Sequence, residues 1–249
     1  MNKLKLFQLR GQKLLYAARR RELWAASKAG VFPSVDHARL LRRLRPATVV
    51  DVGAHSGQFA LLVRTECPTA RVISFEPQPA PGVLFRQLLG AHAELRAVAL
   101  GDSPGEASMN VARASDSSSL LPIGSEQVGR FPGTDHVSTI TVPVSTLNAE
   151  FGGAVPLAGP VLLKIDVQGF ELAVLHGAST FLHQVEWVYV ELSFVELYSG
   201  QPMAAEVVRM LDASGFEISG VFNMSEGPSG EAVQADFLFT KPQWAAIPT

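Results

Sequence analysis

At 249 residues, 47% apolar and 18% charged, the chain has the composition of a folded domain with room for a sizeable core. The net charge of -2 divides unevenly: residues 1–50 hold 12 of the 21 lysines and arginines but only Glu22 and Asp36 as acids, and the remainder is strongly acidic. A single cysteine, Cys67, excludes an intramolecular disulfide, and no apolar run reaches the ~18 residues of a membrane span.

In chain order, residues 3–28 read as a helix, with Leu4, Phe7, Leu14, Leu15, Ala18, Leu23 and Trp24 interleaved with lysine and arginine. Gly30 and Pro33 close it, and Ser34 or Asp36 caps a second helix that ends at Pro46. Strands at 47–54, 70–77 and 93–102 then alternate with helices at 57–67 and 81–92, the rhythm of a parallel sheet with right-handed crossovers. Residues 103–160, rich in serine, glycine and proline, break that rhythm. Strand candidates at 106–112 and 137–146 make this an inserted hairpin or flap. The α/β pattern resumes with a strand at 160–167, a helix at 169–176, a strand at 187–194 and a helix at 202–215. The last strands, 216–222 and 235–242, have no helix between them and are expected to pair as an antiparallel hairpin.

The first strand runs into Asp51-Val52-Gly53-Ala54-His55-Ser56-Gly57. Glycines four apart do not fit the G-x-G-x-x-G dinucleotide fingerprint, and no lysine follows Gly57 as a phosphate-binding loop requires. The second strand ends on Glu76-Pro77, where a carboxylate at the carboxyl edge of the sheet can accept both hydroxyls of a ribose. A ligand with a ribose and no pyrophosphate cradle is expected, and S-adenosylmethionine (SAM) meets that description. The competing reading of each glycine is a tight strand-to-helix turn.

The segments DVGAHSGQF, SFEPQP, VALGDSPGE, SSSLLP, LLKIDVQGFELAVLHGA and YVELSFVELYSGQP occur in this order. Together they resemble the FkbM-type family of SAM-dependent methyltransferases over roughly residues 47–242. The resemblance implies a class I methyltransferase, Rossmann-like α/β fold. Its sheet is seven-stranded and mostly parallel, with helices on both faces and a C-terminal antiparallel hairpin. It also implies methyl transfer to a hydroxyl, most often of a sugar in a natural product, glycolipid or polysaccharide. It assigns Gly53, His55 and Gly57 to the methionine end of SAM, Glu76 to the ribose and Asp102 to the neighbourhood of the adenine; Asp51, Pro77 and Asp166 complete the cofactor contacts. The chain as a whole divides into an N-terminal helical extension, 1–46, and a methyltransferase domain, 47–249, with its insertion at about 103–160.

A sugar hydroxyl needs a base or a metal to take its proton as it attacks. The resemblance places a D-x-Q-G-x-E motif on Asp166, Gln168, Gly169 and Glu171, and Asp166 stands near the end of the central strand. Its alternative task is to bind backbone amides or the cofactor's amino group. Glu171 falls in the first turn of the next helix, where the helix dipole alone favours an acid. Glu191, inside an apolar strand, is a buried carboxylate with the means to be a base or a structural acceptor. Asp166, Glu191 and Glu171 are therefore the catalytic candidates. Together they could hold a divalent cation, though nothing in their spacing demands one, and a zinc site is not expected. His55 reads as a loop contact, His136 as an outside candidate for the base, and His37 as a surface residue. Phe194 and Tyr198 are candidates to stack on a sugar ring.

The basic N-terminal helix reads as a lid, a dimer contact or a membrane-surface helix. A small-molecule or glycan acceptor is expected, not nucleic acid, because the body is acidic. A cytoplasmic location follows from the lone cysteine and the absence of a secretory pattern at the amino terminus. The rival readings are a non-catalytic SAM-binding protein and a methyltransferase with a nitrogen or non-sugar acceptor.

Overall fold

The computed structural model describes residues 3–153 and 157–244, with residues 3–10 as backbone only. The side chains of Leu4 and Phe7, and residues 154–156 of the expected insertion, lie outside what is described.

Three helices open the chain: α1 (Lys3–Ala18), α2 (Trp24–Lys28) and α3 (Ala38–Leu44). The single helix expected over 3–28 breaks after Ala18, and a short 3-10 turn, Arg21–Leu23, leads into α2. The break lets Ala17, Leu23 and Ala26 all reach the core. The cap expected from Ser34 or Asp36 is not made: Ser34 precedes a 3-10 turn, Val35–His37, without a side-chain cap, Asp36 falls inside that turn, and α3 starts after His37 with no side-chain cap.

There follow β1 (Thr48–Val52), α4 (Gln58–Glu66), β2 (Arg71–Phe75), α5 (Pro79–Leu89) and β3 (Glu94–Arg96). The strand expected over 93–102 is split. Its second part, β4 (Ala99–Leu100), leaves the main sheet and pairs with the insertion. The insertion carries β5 (Gly105–Ala112), α6 (Ser125–Arg130) and β6 (His136–Ser145), and α7 (Leu147–Phe151) follows it. Strands β4, β6 and β5 form a three-stranded sheet, with β5 and β6 as the expected hairpin. The chain then runs through β7 (Val161–Ile165), α8 (Glu171–His176), β8 (Trp187–Ser193), α9 (Ala204–Ala213), β9 (Glu217–Glu226) and β10 (Ala232–Thr240).

The main sheet has seven strands in the order β3-β2-β1-β7-β8-β10-β9. All pairs are parallel except those of β10, which runs antiparallel to β8 and to β9. This is the expected mostly parallel sheet with a terminal hairpin. Alternate residues feed two cores. Val50, Val52, Leu163, Ile165, Val188 and Val190 pack on one face with α8 and α9. Val49, Leu162 and Tyr189 pack on the other with the N-terminal helices, α4 and α5. No described helix is long and apolar enough to cross a membrane.

Candidate active site

Three loops at the carboxyl edge of the sheet, after β1, β2 and β7, meet in one cleft.

The loop after β1 is held in left-handed backbone at Gly53 (φ +81°), His55 (φ +46°) and Gly57 (φ +89°). The cause of the glycines is internal. A Cβ on Gly53 would stand 1.8 Å from the carbonyl oxygen of Asp166, and one on Gly57 would stand 2.5 Å from Leu89 Cδ1 and 2.9 Å from Phe85. The close approach at these two glycines is therefore made by the protein's own chain. Gly53 still lines the cleft, but Gly57 does not.

Glu76 lines the cleft at the end of β2 and is 3% exposed. Its Oε2 accepts the N–H of His55 at 2.8 Å and its Oε1 that of Gln78 at 2.7 Å. Burial pushes its pKa up to about 7 against these two hydrogen bonds. The carboxylate thus ties the first loop to the second and keeps further lone pairs for a ligand. Pro77 and Gln78 continue this wall, and the Gln78 amide donates to the carbonyl of Ser115 at 3.1 Å. The facing wall is apolar: Val98, Ala99, Leu100, Met109, Leu120 and Phe170. The departure of β4 toward the insertion builds it.

His55 also lines the cleft. The Gln58 amide lies 3.2 Å from its Nδ1 and Ser115 Oγ lies 2.8 Å from its Nε2. With Gln58 donating to Nδ1, the proton sits on Nε2 and points at Ser115. Burial lowers the pKa of this imidazole, which favours the neutral ring.

The loop after β7 carries the densest polar network. Gln168 (φ +57°) and Gly169 (φ +99°) turn it through left-handed backbone. Glu171 holds the turn, its Oε1 accepting the N–H of Gly169 at 2.9 Å and of Val167 at 3.3 Å. Burial raises the pKa of Glu171 to about 7. The Gln168 side-chain amide donates to Asp166 Oδ1 at 2.8 Å and to Glu191 Oε2 at 3.1 Å. Gln168 Oε1 lies 2.7 Å from the Tyr198 hydroxyl, and Ser119 Oγ donates to the Gln168 carbonyl at 2.7 Å. Gln234 donates to the other oxygen of Glu191 at 2.7 Å. Burial raises the Glu191 pKa well above its ordinary value; Asp166, Asp236 and Glu171 add to this, and Lys164 opposes it.

Behind Asp166 lies Lys164, whose ammonium is 3.2 Å from Asp51 Oδ1, 3.5 Å from Asp166 Oδ2 and 3.4 Å from the Gly53 carbonyl. Burial works to lower the Lys164 pKa, but the two acids outweigh it and the net shift is upward. Asp51, fully buried, is raised by burial and lowered by Lys164.

Of the residues singled out in the sequence, the cleft brings together Gly53, His55, Glu76, Pro77 and Asp166. Asp51 and Glu171 stand behind it as the supports of its loops. Glu191 reaches Asp166 through the Gln168 amide. Asp102 is exposed and outside the cleft, where it accepts from Ser103 Oγ at 2.9 Å, because the split of the third strand carries it away. Among the described residues, no three His, Cys, Asp or Glu side chains converge as a metal-binding group. Three expectations are corrected. Tyr198, 1% exposed and hydrogen-bonded to Gln168, is no sugar platform. His37 is not a surface residue, since its Nδ1 lies 2.9 Å from the Tyr189 hydroxyl beneath the sheet. His136 is exposed beside Thr139 and does not line the cleft.

Lys164 was missed. Its signal was a cation inside an otherwise apolar strand, the same signal that singled out Glu191. Gln168 stood in the motif without a role, and its left-handed backbone before a glycine marks the position.

The family model of the methyltransferase FkbM domain matches residues 51–218. Methyltransferase 1 of Beauveria bassiana is 25% identical over 186 residues, covering 69% of this chain and 72% of that protein. The 2-O-methyltransferase NoeI of Sinorhizobium fredii is 25% identical over 182 residues, covering 70% of this chain and 74% of that protein. The crystal structure of a methyltransferase FkbM from Methylobacillus flagellatus aligns at 14% identity and a TM-score of 0.48 over 78% of this chain. This chain spans 44% of that one.

Proposed function

This chain belongs to the FkbM methyltransferase family, and from that premise we propose that it transfers the methyl group of SAM to a hydroxyl oxygen. The acceptor we propose is a sugar of a natural product, glycolipid or polysaccharide. The observation that carries this reading is the cleft itself. It places Asp166 in the same chamber as a buried carboxylate, Glu76, and an apolar wall. A relative named as a 2-O-methyltransferase supports an oxygen acceptor.

The residues fit SAM. Glu76 has acceptors for two ribose hydroxyls, the Val98–Leu100 wall with Met109 and Phe170 suits a purine, and the loop around Gly53 and His55 suits the methionine end. SAM supplies an already activated methyl group, so the protein's work is positioning and removal of one proton. Asp166 takes the proton of the attacking hydroxyl. Lys164 and Gln168 hold its two oxygens, one each, and so fix the direction of its lone pairs. Glu191 shares the Gln168 amide with Asp166, and Glu171 keeps the loop closed.

Calorimetric titration with SAM, and separately with NAD, tests the cofactor. Saturable SAM binding that Glu76→Ala abolishes is expected, with no NAD binding. Failure of folded, ligand-free protein to bind SAM would sink the reading. For the chemistry, Asp166→Asn is expected to bind SAM normally and to lose a factor of roughly 10²–10⁴ in turnover on a hydroxylated sugar, followed as S-adenosylhomocysteine. Full turnover in that variant removes Asp166 from the role of base.

A further inference from the structure

The two N-terminal helices turn apolar side chains outward as well as inward. Leu14 is 56% exposed, Leu15 62% and Trp24 50%, while Ala17, Leu23 and Ala26 of the same segment are buried. The outward residues are therefore not spare core positions. Leu14, Trp24 and Phe32 line a shallow apolar groove, and Lys28 stands at its rim. Arg19, Arg21 and Lys28 are exposed and have no acidic partner among the described residues. The first 50 residues carry 12 basic and 2 acidic side chains.

We propose that this face, built on Leu14, Leu15 and Trp24 with Lys28 beside them and the exposed Arg19 and Arg21 in the same segment, docks the protein on the surface of an anionic lipid bilayer. Exposed leucine and tryptophan beside arginine and lysine match the boundary between acyl chains and acidic headgroups. A second copy fits less well. A two-fold dimer would bring this cationic face against itself. Three outward apolar side chains also fall short of the roughly twenty residues a side that a stable interface uses. None of these residues lines the cleft, so the proposal stands independently of the catalytic reading.

The test is co-sedimentation of the full chain with phosphatidylcholine vesicles and with vesicles of equal parts phosphatidylcholine and phosphatidylglycerol. Binding to the anionic vesicles alone is expected, with a blue shift of tryptophan emission that Trp24→Phe removes. The double variant R21A/K28A is expected to bind roughly thirtyfold more weakly, and Leu15→Glu to lose binding. All four side chains are exposed, so unchanged thermal unfolding checks that each variant is folded. Equal binding to both vesicles, or to neither, overturns the proposal. So does anionic binding that Leu15→Glu and Trp24→Phe leave untouched. A dimer in light scattering that Leu15→Glu converts to a monomer, without vesicle binding, assigns the face to a second copy instead.

Discussion

Glu76 shows how one side chain reports its environment. Burial holds its pKa up at about 7, although two backbone amides donate to it. Ribose hydroxyls donate only to lone pairs, and a protonated carboxyl has fewer to offer, so a ribose ligand prefers the ionised form. The sign follows: affinity falls as pH drops through the Glu76 pKa. Adenosine carries the ribose and no group of its own that titrates near neutrality. It is expected to bind about tenfold tighter one pH unit above that value than one unit below it. The Glu76→Gln variant is expected to bind weakly with a flat profile. A flat profile in the unaltered protein would show that Glu76 does not face the ribose. In the absence of ligand the same shift costs stability. The carboxyl is more easily ionised unfolded than folded, so its contribution is lost as pH rises from the ordinary glutamate range to about 7.

Outside the insertion, where only the strands were expected and α6 and α7 were not, the elements were readable in order and kind, and the failures have particular causes. The strand at 47–54 and its parallel neighbours announced themselves as mainly apolar runs alternating with helical segments, and the terminal hairpin by the missing helix between its strands. The split of the third strand was not readable, because Val98, Ala99 and Leu100 are equally apolar whichever sheet they join. The split leaves Asp102, which the family resemblance places near the adenine, exposed and outside the cleft. The site was readable where an acid ends a strand, as at Glu76 and Asp166, and unreadable where a partner lies on another strand. Lys164 is the case in point. It faces Asp51 directly across the β1–β7 pairing and reaches Asp166 two residues along its own chain. Lys164→Met would leave Asp51 buried and uncompensated, a change that costs about 3–5 kcal/mol. Chemical denaturation is expected to show that loss, and to show much of it recovered in the double variant D51N/K164M. No loss in the single variant would mean that Asp51 is already protonated in the folded protein.

At the scale of the molecule, the boundary at residue 46 marks where the family resemblance begins, and the packing gives it a different meaning. Leu23, Leu40, Leu41 and Leu44 from the N-terminal segment are buried in the core that also holds Val49, Phe59, Leu61 and Leu162. Burying four leucines contributes about 6–12 kcal/mol, as much as the whole stability of an ordinary domain, about 5–15 kcal/mol. We therefore propose that the N-terminal segment, through its residues 17–44, is a sheet-covering part of a single folding unit. Removing it would bare part of one face of the sheet, the face on which Lys164 and Asp51 are shielded from water and which α4 and α5 cover only in part. A chain beginning at residue 47 is expected to show no cooperative thermal transition and to bind a hydrophobic dye, with secondary structure largely retained. Cooperative unfolding of that chain, with SAM binding intact, would make the segment a detachable extension and confine its purpose to the outer face it presents.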